Sequence, residues 1–180
     1  MRAVVVYESI FGNARAVAEA IAEGLRERVE VDLRPVGEAG TDACAGADLL
    51  VVGGPTHVHG MTSERSREGA VAEARTRGLE TPDLAQVGPG LRAWLDGLRR
   101  VGDARAASFE TRMHGPKLLT GSAAGSIGRR LKADGYPLLA EPESFVVQHT
   151  EGPLGEGERE RARAWGALLG ARLAERRGTT

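Results

Sequence analysis

The chain has 180 residues, enough for one domain, and at that size a core needs no disulfide or metal to hold it. Twenty-four Lys and Arg against 25 Asp and Glu leave a formal charge of −1, which argues against nucleic acid or an anionic membrane as the main partner. The single cysteine, Cys44, excludes an internal disulfide and points to the cytoplasm; no apolar run approaches the ~18 residues of a membrane span, and the opening residues read as a strand rather than a signal peptide.

Ala3–Tyr7 is a continuous apolar run of the kind buried on both faces of a parallel sheet. The loop Glu8–Gly12 leads into a helix from about Asn13, where Ala14, Val17, Ala18, Ile21 and Leu25 share one apolar face. Val29–Leu33 alternates apolar and charged residues, as a half-buried edge strand does. Pro35–Thr41 is rich in turn residues. Ala47–Val52 is a second buried strand, which Gly53-Gly54-Pro55 is expected to end. Strands separated by helix-length segments predict a parallel sheet with helices on both faces.

Thr56–Gly90 is mostly polar, with a weakly helical piece near Ala70–Arg77 and breakers at Pro82, Gly88, Pro89 and Gly90. It reads as an excursion from the sheet, at about 62–90, inside a single domain spanning 1–177; residues 178–180 are a tail. Leu91, Trp94, Leu95 and Leu98 mark a short amphipathic helix. Ala104–Phe109 is a weak strand candidate, and Glu110–Leu119 reads as a loop. Ser122–Ala133 is helical, with Thr120 or Ser122 as N-cap and Gly135 as the stop. Phe145–Val147 is the last strand, and a helix over Glu156–Arg176 closes the chain.

Ligands of an open parallel sheet bind beyond the carboxyl ends of its strands. Here those ends are Glu8–Ala14, Gly53–Met61 and Glu110–Pro116. In the first, a buried strand hands over to a helix whose N-terminal amides suit a phosphate. Gly12 allows the backbone to close on an anion, and Ser9 and Asn13 either add donors or cap the helix. No G-x-G-x-x-G follows the first strand and no G-x-x-x-x-G-K-[ST] occurs, which argues against a dinucleotide fold and a P-loop. No Asp ends the third strand, which disfavours a phospho-acceptor.

Tyr7-Glu-Ser-Ile-Phe-Gly-Asn-Ala14 resembles the phosphate-binding loop of flavodoxins, and Val52-Gly-Gly-Pro-Thr-His57 resembles the loop that borders the flavin ring in that family. The resemblance covers nearly the whole chain. It implies a flavodoxin-like three-layer α/β/α sandwich, with a five-stranded parallel sheet in the order 2-1-3-4-5, and FMN as cofactor. By the resemblance, Ser9, Ile10, Phe11, Gly12, Asn13 and Ala14 surround the phosphate. Pro55, Thr56, His57, Val58, His59 and Gly60 approach one face and edge of the isoalloxazine. Thr111, Arg112, Met113 and His114 approach the other side.

The implied function is electron transfer through bound FMN, toward a redox partner protein or a small-molecule acceptor. Carrier and small flavin-dependent reductase both remain open. The sequence departs from the family pattern at Ala14, which lacks the hydroxyl of the phosphate loop, and in having no aromatic in either ring loop. These departures keep an alternative in view, a flavodoxin-fold interaction module that has lost FMN. His57 and His59 form an H-x-H pair that could ligate a metal, but no carboxylate cluster follows it. Arg112 is either a surface residue or a cation that tunes the flavin. Gly60 offers either a turn or a peptide flip toward flavin N5. Gly121, Gly125 and Gly128 are read as allowing close packing of a helix on the sheet, and Cys44 as a small buried residue.

Overall fold

The run Arg2–Tyr7 forms β1, whose Ala3–Val6 are fully buried. In the computed structural model, residues 1–57, 60–76, 78, 90–100, 102–115 and 121–177 are described. β2 (Glu30–Pro35) pairs with one side of β1 and β3 (Leu49–His57) with the other, both parallel, with Tyr7 opposite Pro35 and Gly53. The two-residue β4 (Gly60–Met61) folds back antiparallel on the end of β3. β5 (Arg105–Met113) runs parallel to β3, and β6 (Glu143–Val147) runs parallel to β5. The parallel strands lie in the order β2-β1-β3-β5-β6. With β4 set aside, this is the 2-1-3-4-5 order expected from the sequence.

Helices cover both faces. α1 (Asn13–Leu25) and α5 (Glu158–Arg177) set Val17, Ile21, Leu25, Trp165 and Leu169 against Val5, Val51, Phe109 and Phe145. On the opposite face α3 (Leu91–Gly97) and α4 (Ala123–Ala133) set Trp94, Leu95, Ile127 and Leu131 against Val4, Val6, Leu50 and Val52. The second core also holds Cys44, fully buried; burial pushes its thiol up, so it packs as a small hydrophobe rather than reacting as a thiolate. Among the described residues no helix is long and apolar enough to cross a membrane.

Local chemistry sets the helix ends. Ser122 Oγ accepts the Gly125 amide at 2.9 Å and caps α4. Gly135, at φ +87°, lets the Tyr136 amide return to Leu131 O at 2.9 Å, and the buried Tyr136 and Leu131 side chains seal that end. Of the three glycines read as letting the helix pack closely on the sheet, Gly128 does so, since a Cβ there would meet Ser108 Oγ at 3.0 Å; a Cβ on Gly125 would meet Ser122 and Arg129 instead, and Gly121 lies before α4 at φ +70°.

Three boundaries differ from the sequence reading. β3 runs on through Gly53-Gly54-Pro55 because those glycines serve packing rather than a turn; a Cβ on Gly53 would sit 2.3 Å from the Phe109 ring. β5 runs on to Met113, so Glu110–Met113 is strand rather than loop, with Glu110, Thr111 and Arg112 all buried. The polar stretch after β4 is a full helix, α2 (Glu64–Thr76). Ser63 and Ser66 start it reciprocally: the Ser66 amide donates to Ser63 Oγ at 3.2 Å and the Ser63 amide to Ser66 Oγ at 2.8 Å.

Candidate functional site

A cleft of about 290 Å³ opens at the carboxyl edge of the sheet. Ser9, Ile10, Phe11, Asn13 and Ala14 line it from the β1–α1 connection. Pro55 and Thr56 come from the end of β3, and Thr111, Arg112 and Met113 from the end of β5. These two ends meet by strand register, since Pro55 stands opposite Thr111. Val147 and Thr150 complete the wall from the end of β6.

The β1–α1 connection is built around Gly12, the N-cap of α1, at φ 85° and ψ −17°. Its amide donates to Ser9 Oγ at 3.1 Å. A left-handed conformation favours glycine here, so the bend is written into the sequence. The first intrahelical bond runs from the Ala16 amide to Gly12 O, leaving the Asn13 and Ala14 amides ahead of the ladder. α1 has no side-chain cap and no acidic residue in its first turn.

Its neighbours at the same edge differ. Glu8, 4% exposed, accepts the Leu91 amide at 2.6 Å and so fills the start of α3. Glu110, fully buried, accepts the Ala124 amide at 2.8 Å and fills the start of α4. Protein carboxylates therefore occupy two helix starts, while among the described residues the first turn of α1 holds no acidic residue and no side-chain cap.

Arg112 is not a surface residue. It is 6% exposed, lines the cleft, and donates from a terminal nitrogen to Gly115 O at 2.9 Å. Met113 is half exposed at the mouth, with Thr150 Oγ1 3.6 Å from its sulfur. His114 is exposed and does not line the cleft, and neither does Gly60, paired with His57 in β4. Val58 and His59 lie outside the described residues. The H-x-H reading therefore falls outside the described residues.

The geometry of the β1–α1 loop and the strand order now stand together. A profile of the flavodoxin family matches residues 5–96, just over half of the chain. The chain belongs to the flavodoxin family. Its fold is similar to that of a flavodoxin from Streptococcus pneumoniae TIGR4, at 16% identity and a TM-score of 0.66, covering 96% of this chain and 99% of that one. An archaeal flavodoxin aligns over 97% and 99% of the two chains, at 15% identity and a TM-score of 0.63. A WrbA-like flavodoxin from Agrobacterium tumefaciens aligns over 97% and 98%, at 22% identity and a TM-score of 0.61. At these identities the likeness is one of fold. No curated protein matches the chain significantly. Flavodoxin-family membership implies flavin binding.

Sequence reasoning missed two parts of the site. Val147 and Thr150 follow the same carboxyl-end rule that found the other three loops, applied to the last strand. Glu8 and Glu110 carry no local signal, because their partners lie between 12 and 83 positions away.

Proposed function

We propose that this flavodoxin-family protein binds FMN in the cleft and transfers electrons through it in the cytoplasm. The observation that carries the reading is the α1 start: a left-handed Gly12, amides ahead of the helix ladder, and no acidic residue or side-chain cap in its first turn. The residues present fit the group. The Ser9 hydroxyl, whose oxygen takes the Gly12 amide, and the Asn13 and Ala14 amides are donors for a terminal monophosphate. Pro55, Thr56, Thr111 and Met113 are the side chains available to the ring, and a cleft of about 290 Å³ suits part of a ligand whose remainder stays open to partners.

FMN, when bound, supplies one- and two-electron chemistry; the protein supplies binding, orientation and electrostatics. Arg112 brings a permanent positive charge to the cleft wall, which favours the negative charge a reduced flavin carries. Met113, exposed at the mouth, gives a redox partner or small acceptor an apolar contact.

The test is titration of ligand-free protein with FMN. Stoichiometric quenching of flavin fluorescence supports the reading, and none with FMN in excess overturns it in favour of an interaction module. Ala14 is the observation that motivates this second reading, since its methyl cannot replace a phosphate-binding hydroxyl. Direct bleaching of the bound flavin by NAD(P)H separates a reductase from a carrier.

A further inference from the structure

We infer that Glu110 is a positioning residue for the flavin site: it fixes the Thr56 hydroxyl at the cleft wall and holds beside it a negative charge that disfavours reduced relative to oxidised FMN. The inference rests on the FMN reading and adds a residue that does not itself line the cleft.

Glu110 is fully buried in β5. Its Oε2 accepts from Thr56 Oγ1 at 2.7 Å, from Ser122 Oγ at 3.0 Å and from the Ala124 amide at 2.8 Å. Its Oε1 accepts from Ser144 Oγ at 2.8 Å. The directions of two of these bonds are set by the amides behind them. Thr56 Oγ1 accepts the Ala123 amide at 3.2 Å and Ser122 Oγ accepts the Gly125 amide at 2.9 Å. Each hydroxyl proton is then left to donate to Glu110. Oε2, with three donors converging on it, stands in the role of a carboxylate oxygen, which accepts and does not donate.

No cation pairs with Glu110 among the described residues; its partners are hydroxyls and one helix-start amide. A neutral amide or hydroxyl could tie β3, α4 and β6 together without the cost of burying a charge. What only the carboxylate adds is its field, weakly screened in the interior and one side chain from the cleft through Thr56. Reduced flavin gains negative charge, so the field opposes reduction. Arg112, on the same face of β5 two residues on, acts in the opposite sense. The pair sets the potential by difference.

Glu110→Gln and Glu110→Asp in the full chain test this. In Glu110→Gln the amide oxygen can take the three Oε2 donors and the NH₂ can donate to Ser144, so circular dichroism should match the parent. In ligand-free protein the Ala124 amide proton should move upfield once its charged acceptor is gone. With FMN bound, affinity for reduced relative to oxidised flavin should rise about tenfold, ~30 mV for a two-electron couple. Glu110→Asp keeps the charge while disturbing the hydrogen bonds, and should leave the potential near the parent's. An unmoved potential in Glu110→Gln, or an equal shift in both variants, overturns the charge role while FMN binding stands. Failure of the parent to bind FMN overturns both readings together.

Discussion

The Leu91 amide donates to Glu8 Oε2 at 2.6 Å, joining residues 83 positions apart. Thr62 Oγ1 donates to the other oxygen, and Arg67 Nε lies 3.6 Å from it. One buried carboxylate at the end of β1 thus holds both the departure and the return of the segment between β4 and α3. Its own amide donates to Gly53 O at 2.9 Å, so the same residue is tied to β3 and precedes Ser9, which lines the cleft. Glu8→Ala strands the Thr62 hydroxyl and the Leu91 amide in a buried site. We expect a loss of about 2–4 kcal/mol, read by urea unfolding. Glu8→Gln, which keeps one acceptor, should lose less. Equal stability of parent and Glu8→Ala would show that the segment is anchored elsewhere.

Gly12 separates backbone strain from anion binding. Gly12→Ala forces a side chain into the left-handed region at about 1–2 kcal/mol and adds no charge. Gly12→Glu adds the same strain plus a carboxylate at the α1 start. We expect FMN quenching to survive in Gly12→Ala and to vanish in Gly12→Glu, with both folded by circular dichroism. Parallel titration curves for the two variants would remove the phosphate from this end of the cleft.

Acid stability should report Glu158. Burial pushes its carboxyl up, but bonds from Arg161 and from the Val146 amide at 2.7 Å outweigh that and leave it below the ordinary value. Because the folded group ionises at lower pH than the unfolded one, its contribution is complete above about pH 4.3 and disappears as pH falls through the folded value. Glu158→Gln should cost about 1–3 kcal/mol at pH 7 and almost nothing near pH 2. The measurement is denaturant unfolding at a series of pH values. A cost that stays constant down to pH 2 would mean that the charge does not contribute.

The parallel strands, the helix faces and the β1–α1 loop were legible because each depends on neighbours in the chain; the strand order came from the flavodoxin resemblance. Ala3–Tyr7 reads as buried by composition, and Gly12 and Gly135 mark left-handed turns by residue type. The ends of β3 and β5 were not legible. Gly53 and Gly54 read as a turn until Phe109 fills the space above one of them, and Glu110-Thr-Arg112 reads as loop until four donors converge on one carboxylate. Arg112 stayed open between surface and cleft for the same reason: polarity predicts exposure unless long-range partners are known. The site was found from strand ends, while the groups that hold it rigid depend on contacts no spacing rule reaches.

The contact between α1 and α5 sets propensity against packing. Ala is the better helix former than Gly by about 1 kcal/mol, so Gly166→Ala judged locally should stabilise α5. A Cβ on Gly166 would stand 2.1 Å from Ile21 O, and one on Gly24 would stand 2.0 Å from Arg163 O. Both obstacles are backbone, which cannot swing aside as a side chain can, so the helices must separate and open the core around Trp165 and Leu169. We expect Gly166→Ala to lose about 2–3 kcal/mol net, since overpacking exceeds the propensity gain. Gly69, exposed in α2 with nothing within 4 Å of its Cβ position, is the control. Gly69→Ala should gain about 0.5–1 kcal/mol. Thermal unfolding of the two variants beside the parent reads the difference, and a gain in Gly166→Ala would mean that α1 and α5 do not meet backbone to backbone.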